Sequence, residues 1–428
     1  MILLYFDMGL SFAEQRRTIT ILGWPTDEYS GSYSSPAHTV IFFVPGNPGQ
    51  HDWYRSDLRD ILKRLGEGYA IRSVSHAGHG LLGKSNRDKG GTGDSIVDVI
   101  DHCRFQSNSD GTRLSPLVPW SVEGQVLHKI AYIDSLIATT PEHKRRSRTN
   151  VNRKHQVACR CQFKSDFKFI FIGHSFGCHV IQRICVLRPD ILERTSGFLF
   201  LMPYIRTKPS FAMDRRKIDF AGSHSELLVA ISTKVSRLFP YSLFRKMIRE
   251  GTQSNSDDEN ESIANITINL LRNHVYPRNF FELGTEELRD IPNEIDVSTF
   301  HLLSSHRTSL FQNTKDSDFC LNTPHKKQRR PIFILHASDN DQWCPSFHGK
   351  EIMSLQMSNL FPPFVETTKI SGLRHDYVCQ KTQLRGRVNN WILSKIFEIE
   401  EKVALKINLF DTFKRTNSRV PGILPSKL

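Results

Sequence analysis

A serine lies between two glycines in the stretch GHSFG, residues 173–177, which has the spacing G-x-S-x-G. The largely apolar residues Phe167–Ile172 precede it, and a segment with helical apolar periodicity follows it. Small flanking residues allow a strand to turn sharply into a helix, and this turn lifts the Ser hydroxyl above the edge of the sheet. The pattern therefore predicts that Ser175 is a catalytic nucleophile, and the alternative is a chance strand–turn–helix.

A Ser nucleophile needs a base, and the base needs an acid that fixes its tautomer. In chains with this serine turn the order is Ser, acid, His. His375 follows a strand pattern by a short loop and is the expected base. Asp339 and Asp341 both follow the apolar run PIFILHA. Asp341 is favoured as the acid because it stands nearer the Pro that commonly begins the next helix, and Asp339 is the alternative. Asp376 is predicted to cap the backbone.

An oxyanion hole needs two backbone N–H groups that point at the carbonyl oxygen of the substrate. One is expected from Phe176, directly after the nucleophile. The other is expected from the loop in FFVPGNPGQHDWY, residues 42–54. Pro48 has no N–H, so Asn47 is the predicted donor, and Gly46 and Gly49 would allow close approach of the backbone. The alternative for this loop is an ordinary Pro-Gly turn.

The elements around these residues alternate between short strands and amphipathic helices. Strands are predicted at Thr18–Trp24, His38–Gly46, Tyr69 onward, Phe167–Gly173, Gly197–Pro203, Pro331–Ala337 and Phe364–Gly372. Helices are predicted at residues 53–65, Ser121–Ile137 with Ser121 as N-cap, Phe176–Leu187 and Gln383 to about Leu405. Continuous apolar strands separated by helices indicate a mostly parallel sheet that is covered on both faces.

Three segments interrupt this alternation. Residues 81–119 and 141–165 are polar and are predicted to be flexible loop insertions. Residues 203–330 are predicted to form a helical cap within a single domain that spans 1–428. The first half of this cap, Ser225–Ile248, has the pattern of an amphipathic helix pair, and Thr252–Ser262 is acidic and Asn-rich, which is typical of a mobile segment.

The composition limits the possible partners and cofactors. The net charge of +13 is concentrated in basic runs at residues 143–155 and 325–330, which we interpret as exposed loops. No aromatic interleaving accompanies this charge, so nucleic acid is not an expected partner. The eight Cys are scattered and show no paired metal-ligand spacing, so we expect neither a metal nor a cofactor. So few Cys for this length also indicate a reducing compartment. We expect no secretory signal and no transmembrane helix.

Several longer motifs carry a resemblance to a known family. They are VPGNPGQHDWY (44–54), SVSHAGHG (73–80), VEGQVLHKIAYI (122–133), GHSFGCHVIQRI (173–184), LFLMPYI (199–205), and DQWCP (341–345) with the following RHDY (374–377). Together they resemble the lipid droplet-associated serine hydrolases, and the similar regions cover about half of the chain. The resemblance implies an α/β-hydrolase fold without cofactor, with Ser175 as nucleophile, Asp341 as acid and His375 as base.

The resemblance further implies a serine esterase that hydrolyses sterol esters such as cholesterol esters. The partners would be a lipid ester substrate and the lipid droplet monolayer or another membrane surface. The location would be the lipid droplet and the cytosolic face of the endoplasmic reticulum. The alternative function is a droplet-binding protein with little or no turnover. The intact Ser, Asp and His favour the enzyme, because a pure binder has no use for that geometry.

The predicted cap departs from the family pattern, because it is poorer in apolar residues and richer in Lys and Arg. A basic amphipathic helix can lie on a lipid surface with its apolar face down. The alternative is that the same face packs on the core. The residues predicted for this face are Leu227, Leu228, Ile231, Val235, Leu238, Phe239 and Leu243.

Overall fold

The computed structural model describes residues 12–22, 24–79, 121–139, 163–205, 224–251, 257–272, 275–292, 294–305, 329–337 and 347–417. Eight strands in these residues form one sheet in the order β1-β2-β4-β3-β5-β6-β7-β8. The strands are β1 (Ala13–Ile21), β2 (Trp24–Ser32), β3 (Ala37–Val44), β4 (Tyr69–Val74), β5 (Phe163–His174), β6 (Thr195–Leu201), β7 (Ile332–His336) and β8 (Val365–Lys369). β1 and β2 are antiparallel to their neighbours, and β4, β3, β5, β6, β7 and β8 are mutually parallel.

Helices follow most of the parallel strands. In chain order they are α1 (Arg55–Leu65), α2 (Val122–Ala138), α3 (Phe176–Leu187), α4 (Pro189–Glu193), α5 (Ser225–Leu238), α6 (Tyr241–Gly251), α7 (Asp257–Arg272), α8 (Val275–Asp290), α9 (Val297–Ser304), α10 (Phe347–Met357) and α11 (Thr382–Asn417). Two short 3-10 helices cover His51–Tyr54 and Tyr377–Cys379. The predicted N-cap of α2 is confirmed, because Ser121 Oγ accepts from the N–H of Gly124 at 2.8 Å.

The apolar strand residues alternate between two buried clusters, one on each face of the sheet. α2 and α3 cover one face, and α1 and α11 cover the other. A buried ion pair between Arg385 of α11 and Asp57 of α1, at 3.0 Å, joins the two helices on the second face. This layered arrangement confirms the predicted α/β class and places the carboxyl ends of the parallel strands at one edge.

The first strands differ from the prediction. Thr18–Trp24 was expected to be one strand, whereas the chain forms a hairpin of β1 and β2 that turns at Leu22. β2 reads WPTDEYSGS and lacks an apolar pattern, but its polar residues are buried and paired. Glu28 accepts from the hydroxyl of Tyr132 on α2 at 2.5 Å and pairs with Arg17 on β1. These tertiary contacts stabilise a strand that periodicity does not reveal.

Regular secondary structure extends further than predicted at three other places. β5 begins at Phe163, so the last residues of the predicted insertion 141–165 belong to the sheet. The acidic stretch expected to be mobile is helical from Asp257 onward, as the start of α7. The last helix, α11, continues to Asn417. The predicted insertion 81–119 lies outside the described residues.

Helices α5 to α9 lie between β6 and β7, in the region predicted to be a cap. The predicted helix pair at Ser225–Ile248 is present as α5 and α6. α8 packs on α2, α5 and α7, and α7 contacts the 3-10 helix that follows the loop at residues 45–50. The function of this region as a cap over the site remains a proposal.

Candidate active site

Ser175 occupies the strained turn between β5 and α3. Its backbone has φ 51° and ψ −122°, which is a rare conformation for a residue with a side chain. A Cβ at Gly177 would lie 2.2 Å from the carbonyl oxygen of Val44 on the neighbouring strand, so only glycine fits there. The glycine after the serine is therefore required by close packing against β3, as the motif predicts.

His375 and Ser175 meet although they are 200 residues apart in the sequence. His375 Nε2 lies 2.6 Å from Ser175 Oγ, which is hydrogen-bond distance. His375 stands on the loop after β8, and Ser175 follows β5 at the same edge of the sheet. An imidazole at this distance can take the hydroxyl proton as the hydroxyl attacks a carbonyl. The catalytic roles of both residues stay predictions.

Both carboxylates considered for the acid, Asp339 and Asp341, lie outside the described residues. They follow β7, which runs parallel to β8, so the chain leaves both strands at the same edge. Asp376 does not cap the backbone as predicted. Its side chain pairs instead with Arg374 at 2.5 Å, and both side chains are about half exposed.

The loop predicted to complete the oxyanion hole contacts the serine turn directly. A Cβ at Gly46 would lie 2.9 Å from Ser175 Cβ, so this glycine allows the loop backbone to approach the serine. Asn47 follows Gly46, and its side-chain amide points toward α8, 3.4 Å from Glu287 and 3.5 Å from the carbonyl of Phe280. Phe176 is fully buried behind the serine. The oxyanion roles of the Asn47 and Phe176 N–H groups stay predictions.

A buried hydrogen-bond chain connects this loop to His375. The Tyr54 hydroxyl lies beside the backbone of Gly46 in this loop and 2.7 Å from His174 Nδ1. His174 Nε2 lies 2.9 Å from the carbonyl oxygen of His375. A carbonyl only accepts, so Nε2 carries the proton, and the Tyr54 hydroxyl therefore donates to Nδ1. The chain ties the loop, the serine turn and the backbone of the predicted base together.

Sequence reasoning assigned no role to Tyr54 or His174. Both lie inside quoted motifs, VPGNPGQHDWY and GHSFG, but only His174 stands next to the nucleophile in the sequence. The hydrogen bonds that join them span 120 residues from Tyr54 to His174 and 201 from His174 to His375. Such long-range pairs have no local signature in the sequence.

The parallel sheet, the serine turn after β5 and the histidine after β8 together define an α/β-hydrolase. The model of the family "Lipid-droplet associated hydrolase" matches residues 37–378. This match covers most of the chain, and the chain belongs to that family. The predicted α/β-hydrolase fold and the resemblance to this family are therefore confirmed.

The chain is similar to the lipid droplet-associated hydrolases of Homo sapiens and Pongo abelii, with 22% identity to each. The human alignment covers 38% of this chain and 37% of that protein, and the Pongo abelii alignment covers 41% of each. The chain thus spans about two fifths of the length of these relatives. Among solved structures, a candidate lipase from Acinetobacter baumannii AYE has a TM-score of 0.50 with 10% identity, over 91% of this chain and 92% of that chain. That likeness shows the fold alone.

Proposed function

We propose that this chain is a carboxylic ester hydrolase that cleaves lipid esters, sterol esters such as cholesterol esters among them, at the surface of lipid droplets. The observation that carries the proposal is the 2.6 Å contact between His375 Nε2 and Ser175 Oγ at the strained turn. A hydroxyl at this distance from an imidazole is prepared to attack an ester carbonyl. Family membership supports the lipid substrate and the droplet location.

In the proposed mechanism Ser175 Oγ attacks the ester carbonyl while His375 takes its proton. The N–H groups of Phe176 and Asn47 would stabilise the oxyanion. His375 then returns the proton to the departing alcohol, and water hydrolyses the acyl-enzyme by the same steps in reverse. Asp341, as the acid of the triad, would hold the proton on His375 Nδ1 and stabilise the imidazolium.

The cap carries a surface that fits a lipid monolayer. Leu227, Ile231, Val235 and Leu238 form a stripe along α5, and they are between 42% and 81% exposed. Leu243 and Met247 on α6 extend this surface, which we call the cap stripe. Basic side chains are exposed on the same two helices, at Lys234, Arg237, Lys246 and Arg249. Two predicted members, Leu228 and Phe239, are half-buried instead.

Exposed apolar side chains next to basic ones are typical of helices that lie in a membrane interface. The chain would therefore associate peripherally with the droplet, and with the endoplasmic reticulum, as the resemblance implies. No helix within the described residues is long and apolar enough to cross a bilayer. The cap stripe also favours the second candidate function, a droplet-binding protein with little turnover.

A serine-directed fluorophosphonate probe tests the enzyme against the binding protein. We expect covalent labelling of the full chain and no labelling of the Ser175→Ala variant. Turnover of lipid esters should fall by roughly 10⁴-fold in that variant, because the triad acts as one unit. Labelling that persists in Ser175→Ala would remove Ser175 from the role. Droplet binding without any labelling or turnover would favour the second candidate.

A further inference from the structure

Three fully or nearly buried rings stand in a row beside the serine turn. His76 packs edge-to-face on Phe176, with ring centroids 5.5 Å apart, and on His79 at 5.9 Å. His79 in turn packs edge-to-face on Tyr276 of α8 at 5.5 Å. The row therefore runs from the residue after Ser175 to a helix of the cap. We call these three side chains, His76, His79 and Tyr276, the polar row.

The polar row adjoins the loop that contacts the nucleophile. The N–H of His76 donates to the carbonyl of Gly49 at 2.8 Å, and Gly46 of the same loop lies against Ser175. On the cap side, Asn279 of α8 donates to the carbonyl of Gly78 at 2.7 Å, between the two histidines in the sequence. The polar row thus lies between the predicted active site and the cap, and a hydrogen bond fixes it on each side.

Four polar atoms of this row are buried without a hydrogen-bond partner in the described part of the chain. They are both ring nitrogens of His76, Nε2 of His79 and the hydroxyl of Tyr276. An unsatisfied buried polar group costs about 1–3 kcal/mol, and native structures contain few of them. Four such atoms on three neighbouring rings indicate that another polar group belongs among them.

The chemistry of the row specifies that group. His79 Nδ1 lies 3.0 Å from the carbonyl oxygen of Ala77, so Nδ1 carries the proton. Burial lowers the pKa of His79 to about 4, so the ring is neutral at neutral pH and Nε2 only accepts. Burial also lowers the pKa of His76, so this ring is neutral. Burial raises the pKa of Tyr276, so its hydroxyl keeps its proton. The missing group must therefore donate to His79, and it can accept from Tyr276 or His76.

We propose that the polar row binds a free hydroxyl group on the alcohol part of a lipid ester, as in a partial glyceride. A hydroxyl both donates and accepts, which matches the atoms that lack partners. A simple alkyl ester or a sterol ester of a plain fatty acid has no donor to offer. This inference rests on the proposed function, because it names a preferred substrate class for the same site: esters with a free hydroxyl are bound better than esters without one.

The test compares 1-monooctanoylglycerol with methyl octanoate, which has the same acyl chain and no free hydroxyl. The ratio of kcat/KM for the first ester over the second is measured for the full chain and for Tyr276→Phe, which keeps the ring and removes the hydroxyl. We expect this ratio to fall roughly ten-fold in the variant, as for the loss of a buried hydrogen bond. His79→Phe should lower the ratio as well. Tyr33→Phe is the control, since its hydroxyl approaches the carbonyl of Lys63 near the start of β3, at the opposite edge of the sheet.

Binding separates this inference from the proposed function. The same two esters are titrated calorimetrically into Ser175→Ala, with and without Tyr276→Phe, so no turnover is needed. Tighter binding of monooctanoylglycerol that is lost with Tyr276→Phe supports the polar row even if the chain hydrolyses neither ester. The inference would be overturned if Tyr276→Phe and His79→Phe both kept the kcat/KM ratio within two-fold of the parent and Tyr276→Phe kept the affinity for monooctanoylglycerol. The row would then hold internal water only.

Discussion

At the scale of single residues, Tyr54 and His174 connect the predicted oxyanion loop to the predicted base. Their hydrogen bonds place the backbone of His375 relative to Ser175, because His174 donates to the carbonyl of His375 itself. Neither side chain needs to contact the substrate for this, so we consider them positioning residues. The second ring nitrogen of His174, Nδ1, lies 2.7 Å from the Tyr54 hydroxyl.

Replacing Tyr54 by Phe removes one hydroxyl and keeps the ring in its pocket. We expect the labelling rate of Ser175 with a phosphonate to fall roughly ten-fold, which corresponds to about 1.4 kcal/mol in the barrier. The apparent affinity for the probe should change little, because the hydroxyl positions the base. Melting temperatures of Tyr54→Phe and the control Tyr33→Phe should be measured alongside. An unchanged labelling rate in a folded Tyr54→Phe protein would show that the hydrogen-bond chain does not position His375.

Substitution separates the two carboxylates proposed for the acid. Asp341→Asn should lower kcat by about 10⁴-fold, since an amide would hold the wrong tautomer of the imidazole. Asp339→Asn should have a mild effect and is the matched control from the same loop. The measurement is ester turnover by both purified variants. A nearly inactive Asp339→Asn beside an active Asp341→Asn would reverse the assignment.

At the scale of elements, α8 is the helix that contacts both loops beside the predicted site, at Asn47 and at Gly78. One face of α8 is buried along the loops after β3 and β4, and it consists of Tyr276, Asn279, Leu283 and Glu287. The spacing of three or four residues between them is that of a single helical face. Glu287 ends this face, 3.4 Å from the Asn47 side chain. Burial raises the pKa of Glu287 to about 8, so this carboxyl is largely protonated at neutral pH.

The raised pKa of Glu287 predicts a pH-dependent stability. The unfolded carboxyl releases its proton near the ordinary pKa of 4.5, whereas the folded one keeps it up to about pH 8. Stability should therefore fall as pH rises between these values, because the folded state binds the extra proton. Glu287→Gln mimics the neutral acid and should be more stable than the parent at pH 8 by on the order of 1 kcal/mol or more.

The measurement for Glu287 is thermal unfolding at pH 5 and at pH 8. The difference between the two melting temperatures should shrink in Glu287→Gln. Glu294→Gln, at an exposed acid of the same region, is the control and should follow the parent. Parallel curves for the parent and Glu287→Gln would show that Glu287 is ionised in the folded protein at both values.

At the scale of the whole molecule, the cap stripe and the predicted site belong to one connected unit. α5 carries the stripe and packs on α8, and α8 contacts the loops beside Ser175. Arg272 of α7 fixes the corner between α5 and α6, since it donates to the carbonyls of Ser236 and Phe239. The apolar side chains of the stripe are therefore exposed on helices that are fixed to the rest of the fold.

Three substitutions test the cap stripe as the lipid-binding surface. Leu227→Ser, Ile231→Ser and Leu238→Ser together should lower binding to liposomes and to purified droplets at least ten-fold, because each removes apolar area from the interface. Hydrolysis of a short soluble ester should be largely retained. The matched control replaces Met353, Met357 and Leu360, which are similarly exposed on and after α10, by Ser. Equal loss of binding in the control would refute a specific role of the cap stripe.

Much of the fold follows from local pattern. The apolar runs of β3, β5, β6 and β7 predict buried parallel strands, because such strands need side chains that suit a core on both faces. The predicted helix pair at Ser225–Ile248 is present, but only tertiary packing shows that its apolar stripe faces outward. β2 could not be predicted from periodicity, because its polar residues are stabilised by partners on β1 and α2.

The sequence by itself determined which candidate catalytic residues follow the ends of strands. Ser175 is visible because a sharp turn needs glycines around it, and His375 because it follows a strand in the expected order. Tertiary structure alone decided that His375 Nε2 reaches Ser175 Oγ, that Tyr54 contacts His174, and that the polar row packs on Phe176. The physical reason is range: a turn or a strand is encoded by neighbouring residues, whereas a hydrogen bond between distant loops depends on how the whole sheet brings their ends together.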